Sequence, residues 1–321
     1  MAIIAVTNRI PETGMAMLRA EHEVRAWEHE ECISREESLR LIAGADAVVT
    51  LLTEKVDGEF LDAAGPQVRV VANVAVGFNN IDVPACEARG VVATNTPKVL
   101  TETTADTAFG LMLMVTRRFG EGERIIRSQT PWQWGMFYLL GMGLQGKTIG
   151  IVGMGEIGRA MARRAKAFGM DVIYADEFEP AADLLAGLDA RRVSLDELFG
   201  TADVVSLHCP YLPSTHHLVD AARLRSMKRT AYLVNSARGP IVDEEALVAA
   251  LSAGEIAGAG LDVFEKEPTV HPGLLAMENV VLLPHLGSAT TETRAAMAEL
   301  AAQNVLRVLR GEAPLTPVTK H

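Results

Sequence analysis

The sequence predicts an α/β protein built on parallel sheets and arranged as two successive units. Three observations lead there. Short runs of β-branched residues alternate with amphipathic helical patterns along the chain, as expected of strands joined by crossover helices. The alternation restarts at residue 147, after a long helical stretch and a polar, tryptophan-bearing segment. The strand-like runs are more numerous than one open sheet usually carries, which favours two units over a single doubly wound sheet.

The elements follow in order. Residues 3–7 read as a strand and 11–23 as a helix opened by Pro11. A helix over 34–45 begins with Ser34 and Glu37 at the spacing of a capping box, which satisfies exposed amide donors of the first turn. Strands are expected at 46–52, 68–74 and 91–94, and one long helix over about 101–127 with Thr101 as its N-cap. The second series has strands at 147–153, 171–175, 203–209, 230–236, 257–264 and 280–284. Helices near 156–169, 194–200, 220–227 and 243–253 lie between them, and a last helix over about 291–310 is closed by Gly311.

Of the 321 residues, 49% are hydrophobic and 22% charged, enough for a sizeable core and against global disorder. Apolar stretches such as 108–115 fall short of the roughly 20 residues of a membrane span. The N-terminus lacks the basic, apolar and small-residue regions of a leader, so a cytoplasmic protein is expected. A net charge of −11 opposes general binding to nucleic acid. Cys32, Cys86 and Cys209 form no CxxC pair and the eight histidines no HxxxH pattern, so no metal site is expected.

Residues 153–158, GMGEIG, form GxGxxG in the context that gives this motif meaning. An apolar strand leads in, a helix leaves, and the next strand ends in Asp176. Gly153 permits the tight turn, Gly155 lets a pyrophosphate approach the backbone, and Gly158 lets helix and strand pack closely. Glu156 and Ile157 open the helix, whose amide donors and dipole face the phosphates. The plain alternative is a structural glycine-rich turn. Asp176 would accept hydrogen bonds from the adenosine ribose. With Glu177 beside it and no adjacent Arg in the sequence, a 2′-phosphate is disfavoured, so NADH is expected over NADPH.

Arg238, Glu267 and His285 each follow an apolar strand of the second series. Groups at the C-terminal ends of parallel strands converge on a ligand crevice. These three suit hydride transfer to a 2-keto acid: Arg binds carboxylate and carbonyl oxygens, His hands over a proton, and Glu favours the protonated ring. On spacing alone each is also readable as an ordinary loop residue.

Five segments resemble the D-isomer-specific 2-hydroxyacid dehydrogenase family: NVAVGFNNID at 73–82, the run 150–176, VNSARGPIVDEEAL at 234–247, GLDVFEKEP at 260–268 and LPHLGSAT at 283–290. The motifs occur in family order over essentially the whole chain, and within the family glyoxylate and hydroxypyruvate reductases look most similar. The resemblance implies two Rossmann-like or flavodoxin-like domains with parallel sheets, the cofactor domain at 99–287 being inserted into a substrate domain of 1–98 and 288–321. It implies Arg238 as substrate-binding and catalytic, His285 as acid/base and Glu267 as its partner. Val76 and Gly77 match the loop whose backbone N–H groups hold the substrate carboxylate. Thr104 and Asp262 match positions near the nicotinamide, and Cys209, Pro210, Ser236 and Ala237 match strand ends that contact the cofactor. His208 is readable either as lining the adenosine side or as a packed strand-end residue. The aromatic segment 128–146 is similar to the family's dimerisation arm, implying a homodimer, with Trp134 near the neighbouring active site. Folding of the arm's aromatics onto their own domain is the alternative.

The reading that results is NADH-dependent reduction of a small 2-keto acid, glyoxylate or hydroxypyruvate, to the D-2-hydroxyacid. The alternatives are a dehydrogenase for another hydroxyacid, such as 3-phosphoglycerate or D-lactate, and an NAD-sensing corepressor-like binding protein.

Overall fold

A computed structural model describes residues 1–318 and divides the chain into two compact units, Met1–Leu100 with Ala289–His321, and Thr101–Ser288. The first unit opens with β1 (Ile3–Val6), α1 (Glu12–Glu21), β2 (Glu23–Ala26), α2 (Arg35–Ile42), β3 (Ala47–Thr50), α3 (Gly58–Ala64), β4 (Val70–Asn73), α4 (Val83–Ala88) and β5 (Val92–Thr94). All pairings are parallel, in the flavodoxin-like order β2-β1-β3-β4-β5. β3 and β4 are buried along their whole length, which a parallel sheet covered on both faces requires. The helices start where side chains satisfy their first amides. Ser34 and Glu37 form the expected capping box on α2, while Asp57 accepts from the Phe60 N–H at 3.0 Å and Asp82 from the Ala85 N–H at 2.9 Å.

The second unit contains α5 (Thr101–Thr116), α6 (Phe119–Arg127), β6 (Thr148–Val152), α7 (Glu156–Ala167), β7 (Asp171–Ala175), β8 (Arg191–Arg192), α8 (Leu195–Thr201), β9 (Val204–Leu207), α9 (Ala221–Ser226), β10 (Tyr232–Asn235), α10 (Glu244–Ser252), β11 (Gly258–Leu261), α11 (Pro272–Leu275) and β12 (Val280–Leu282). Its seven parallel strands run in the order β12-β11-β10-β9-β6-β7-β8. Strand order therefore reverses between β6 and β9, the Rossmann arrangement in which a crevice opens beyond the strand C-termini. The described residues thus form twelve strands in two sheets and not one continuous sheet.

The long helix expected over 101–127 is two helices. Arg118 takes the left-handed conformation (φ 55°), and its guanidinium forks onto Glu121. The carbonyl of Thr116 is capped by the Met142 N–H at 2.8 Å instead of continuing the helical ladder. Thr101 is not the N-cap but the first helical residue, its hydroxyl lying 3.3 Å from the Glu156 carboxylate.

The chain then returns to the first unit as α12 (Thr291–Leu309), capped by the Thr290 hydroxyl at 3.2 Å from the Thr293 N–H. α12 packs on α1, β3 and β4. After Gly311 (φ 80°) the chain runs back along β5: Pro317 bridges Thr94 in antiparallel sense, and the Val318 N–H donates to the Ala93 carbonyl at 2.9 Å. Among the described residues no helix is long and apolar enough to cross a membrane.

Candidate active site

The glycine motif fills the turn from β6 into α7. Gly153 has φ 92°, and a Cβ there would lie 2.5 Å from the Cys209 N at the end of β9. A Cβ on Gly158 would lie 2.1 Å from the Gly153 carbonyl oxygen, so the helix can leave the strand this closely only with glycine. A Cβ on Gly155 would meet nothing within 4 Å, and the backbone there stands open to an incoming group. Glu156 and Ile157 form the first turn of α7, whose unpaired amide donors suit an anion. This is a cradle that fits a dinucleotide pyrophosphate.

Asp176 follows β7, next to β6 in the sheet. Its Oδ2 accepts from the Met154 N–H at 2.6 Å and its Oδ1 from the Phe178 N–H at 3.0 Å. The carboxylate is thereby fixed against the glycine turn. The absence of a neighbouring Arg does not hold in three dimensions. β8 pairs with β7, and the Arg192 guanidinium donates to the carbonyls of Asp176 at 2.8 Å and Glu177 at 3.2 Å. Beyond β9, burial pushes the His208 ring down to about 4 and the Cys209 thiol up to about 12, so one is neutral and the other unreactive at neutral pH. His208 Nε2 lies 2.8 Å from the Ser206 hydroxyl, while Pro210 is exposed.

Arg238 follows β10, Asp262 β11 and His285 β12, at neighbouring strand ends of one sheet. The Arg238 loop starts with Ser236 and Ala237 and is shaped by Asn235, which accepts from the Ala237 N–H and donates to the Arg238 carbonyl, both at 3.0 Å. Burial lowers the guanidinium's pKa, an effect the nearby Glu267 charge opposes. His285 Nδ1 lies 2.8 Å from Glu267 Oε2, while Glu267 Oε1 accepts from the Phe264 N–H at 3.0 Å. Burial pushes the Glu267 carboxyl up, but the hydrogen bond and charge of His285 outweigh it and hold the group below the ordinary carboxylate range. Asp262 is wholly buried and ties down the turn after β12, accepting from the N–H groups of Leu286 at 2.6 Å and Gly287 at 2.8 Å. Burial raises its pKa against those two bonds. Thr104, buried on the first turn of α5, borders the same turn: a Cβ on Gly287 would lie 3.3 Å from both Thr104 Cγ2 and Asp262 Oδ2.

Gly239, which the sequence reading did not single out, explains how the Arg and Glu loops meet. A Cβ there would lie 1.9 Å from the Phe264 carbonyl carbon, so the two backbones touch. Val76 and Gly77 belong to the first unit, in the loop after β4. Trp134 lies on the connection between α6 and β6, where it is 78% exposed and Phe137 88%. The arm's aromatics therefore do not fold back onto their own unit. Of the adjacent histidines, His216 is exposed, whereas His217 is half-buried with Nε2 3.0 Å from Glu265.

Residues 109–287 match the model of the NAD-binding domain of D-isomer specific 2-hydroxyacid dehydrogenases. The chain belongs to the D-isomer specific 2-hydroxyacid dehydrogenase family. It is thus an NAD-dependent oxidoreductase with the two parallel-sheet domains of that family. A glyoxylate reductase from Thermococcus onnurineus is 47% identical over 322 residues, covering 99% of this chain and 96% of the relative. The crystal structure of a glyoxylate reductase from Paecilomyes thermophila superposes with a TM-score of 0.89 at 34% identity, covering 99% of this chain and 98% of that one. An NADPH-dependent glyoxylate/hydroxypyruvate reductase from Sinorhizobium meliloti, solved with NADP and malonate, superposes with a TM-score of 0.86 at 36% identity, covering 99% and 97%. Within this D-2-hydroxyacid dehydrogenase the open glycine turn, Asp176 and the strand-end Arg, Glu and His all lie in the unit that carries the family match.

Proposed function

We propose that this enzyme reduces glyoxylate and hydroxypyruvate with NADH, giving the D-2-hydroxyacid where a stereocentre forms. The observation that carries the reading is the 2.8 Å pairing of His285 with Glu267, beyond the C-terminal ends of the strands where Arg238 also lies. Bound NADH supplies the hydride. The flat guanidinium of Arg238 engages the substrate carboxylate and carbonyl oxygen and stabilises the negative charge that builds on the latter. Glu267 engages Nδ1 of His285, which leaves Nε2 to give that oxygen its proton. The N–H groups of Val76 and Gly77 hold the carboxylate. Thr104 and Asp262 border the nicotinamide, Cys209, Pro210, Ser236 and Ala237 contact the cofactor from strand ends, and the 153–158 turn holds its phosphates.

Asp176 supports NADH over NADPH, because its carboxylate accepts from ribose hydroxyls and repels a 2′-phosphate. Arg192 supports a second reading, in which NADPH is also used, since it places a cation beside Asp176. The exposed arm supports a homodimer in which Trp134 approaches the neighbouring site. The test is a kcat/KM series with each cofactor over glyoxylate, hydroxypyruvate, pyruvate, oxaloacetate, phenylpyruvate and 3-phosphohydroxypyruvate. Glyoxylate and hydroxypyruvate should lead, with NADH ahead by about tenfold or more, equivalent to about 1.4 kcal/mol. A second anionic group would be buried without a partner, which is costly. A lead for any of the last three substrates overturns the assignment.

A further inference from the structure

The loop Val74–Gly77 is oriented by a polar strut that starts in the segment following α12. The Ala75 carbonyl accepts from the Thr96 N–H at 2.8 Å, and the Val76 carbonyl from the Asn95 side-chain amide at 2.8 Å. In a trans peptide the C=O of one residue and the N–H of the next point in opposite directions. Pinning these two carbonyls to the stretch after β5 therefore turns the N–H groups of Val76 and Gly77 the other way, side by side. Neither N–H has an acceptor among the described residues. Two adjacent outward N–H groups form a concavity suited to one anion. A third bond, from the Asn73 amide to the Gly77 carbonyl at 3.0 Å, fixes the exit of the loop.

Asn95 is itself held from beyond α12. The Thr316 hydroxyl donates to the Asn95 carbonyl at 2.6 Å, and the Asn95 N–H donates back to the Thr316 carbonyl at 3.3 Å. Thr316 is anchored in turn by Asn304, a fully buried polar residue of α12. Its side-chain amide donates to the Thr316 hydroxyl at 2.8 Å, and its oxygen accepts from the N–H groups of Leu315 at 2.8 Å and Thr316 at 3.1 Å. A buried amide with its oxygen and its N–H₂ both engaged holds one geometry, because breaking any bond leaves a polar atom stranded.

We infer that Asn95 and Thr316 are positioning residues for substrate binding: the segment after α12 sets the direction of the two N–H donors that receive the substrate carboxylate. The inference rests on the reading of Val76 and Gly77 as the carboxylate site. It predicts an effect on carboxylate affinity that bypasses both cofactor binding and the chemical step, since the strut touches neither.

The variants are Asn95→Asp, which keeps the shape and removes the donor, Thr316→Val, which removes the hydroxyl, and Thr316→Ser, which restores it. KM for glyoxylate and the Kd of oxamate, a non-reducible mimic, should rise by roughly tenfold in N95D and T316V, as expected for a lost or misdirected hydrogen bond. Saturated kcat and the Kd of NADH should stay within about twofold, because distant sites act independently. T316S should return KM to the wild-type value. A merely structural role would move melting temperature, NADH affinity and kcat together, and that result overturns the inference, as does an unchanged KM in both N95D and T316V. Hydrogen exchange followed by mass spectrometry over residues 94–97 reads the strut without turnover, because the backbone N–H groups of Asn95 and Thr96 donate into it. Faster exchange in T316V than in T316S supports it, and equal exchange overturns it. A wild-type enzyme that turns over no 2-keto acid would sink the proposed function instead, with the exchange experiment still deciding the strut.

Discussion

Gly239→Ala separates the Arg238 loop from the Glu267 loop by the smallest change available. Gly239 does not adopt the left-handed conformation, so alanine meets no backbone penalty there. The whole effect comes from contact. The new methyl would lie 1.9 Å from the Phe264 carbonyl carbon and oxygen and 2.4 Å from the Glu265 N, all backbone atoms that cannot rotate aside. Real Cβ atoms essentially never approach closer than 3.0 Å. The loops must therefore part by about 1 Å, a misplacement of reacting groups that costs on the order of 10²-fold in rate. Overpacking of this kind also lowers stability by roughly 1–3 kcal/mol. The cradle at 153–158 lies on other strands, so the Kd of NADH should change far less than kcat/KM, any change coming through Ser236 and Ala237 on the displaced loop. The assay is kcat/KM for glyoxylate, alongside NADH titration by fluorescence and a thermal melt to confirm folding at the assay temperature. Wild-type kcat/KM in folded G239A would refute the idea that backbone contact between these loops sets the catalytic geometry.

Glu267→Gln should lower kcat/KM for glyoxylate at neutral pH by about tenfold, the loss of a charge-assisted bond to His285 taken at about 1.5 kcal/mol. An unchanged kcat/KM refutes it. The depressed carboxyl of Glu267 contributes stability that is fully present above its ordinary 4.5 and lost as pH falls through the lowered value, so wild-type and E267Q melts should converge in acid. Replacing Asp176 by Ser and Glu177 by Arg should narrow or invert the NADH to NADPH ratio in kcat/KM, whereas an unchanged ratio would move the choice to Arg192. Light scattering should give a mass near twice 34.5 kDa, and deletion of 131–139 a monomer or an insoluble chain. A monodisperse wild-type monomer at micromolar concentration would exclude the dimer.

What was legible in the sequence was periodic or local. Buried parallel strands announce themselves as β-branched runs, and the glycine turn, Asp176, Arg238, Glu267 and His285 all sit at fixed offsets from such runs. β2 was not legible because Glu23–Ala26 is a polar edge strand with no fully buried residue. β8 is only Arg191–Arg192. α3 and α4 are short, although Asp57 and Asp82 were cap signals that could have found them. The break after Thr116 depends on Met142, 26 positions away, which no window on the helix contains. Contacts made by the fold were invisible for the same reason: Arg192 beside Asp176, Gly239 against Phe264, and Thr316 on Asn95.

The insertion of one unit into the other has a consequence for the order of folding. A ribosome delivers β1 to β5 first, then all of Thr101–Ser288, and only then α12. Until that helix emerges, the faces of α1, β3 and β4 that it will cover stay exposed, and Gly14 waits for the close contact in which a Cβ would lie 2.7 Å from the Ala298 carbonyl. The second unit has all its strands before then and can close while the first is still open. The chain's earliest-made sheet is thus the last to be sealed, and its unsealed interval lengthens with every residue of the domain placed inside it.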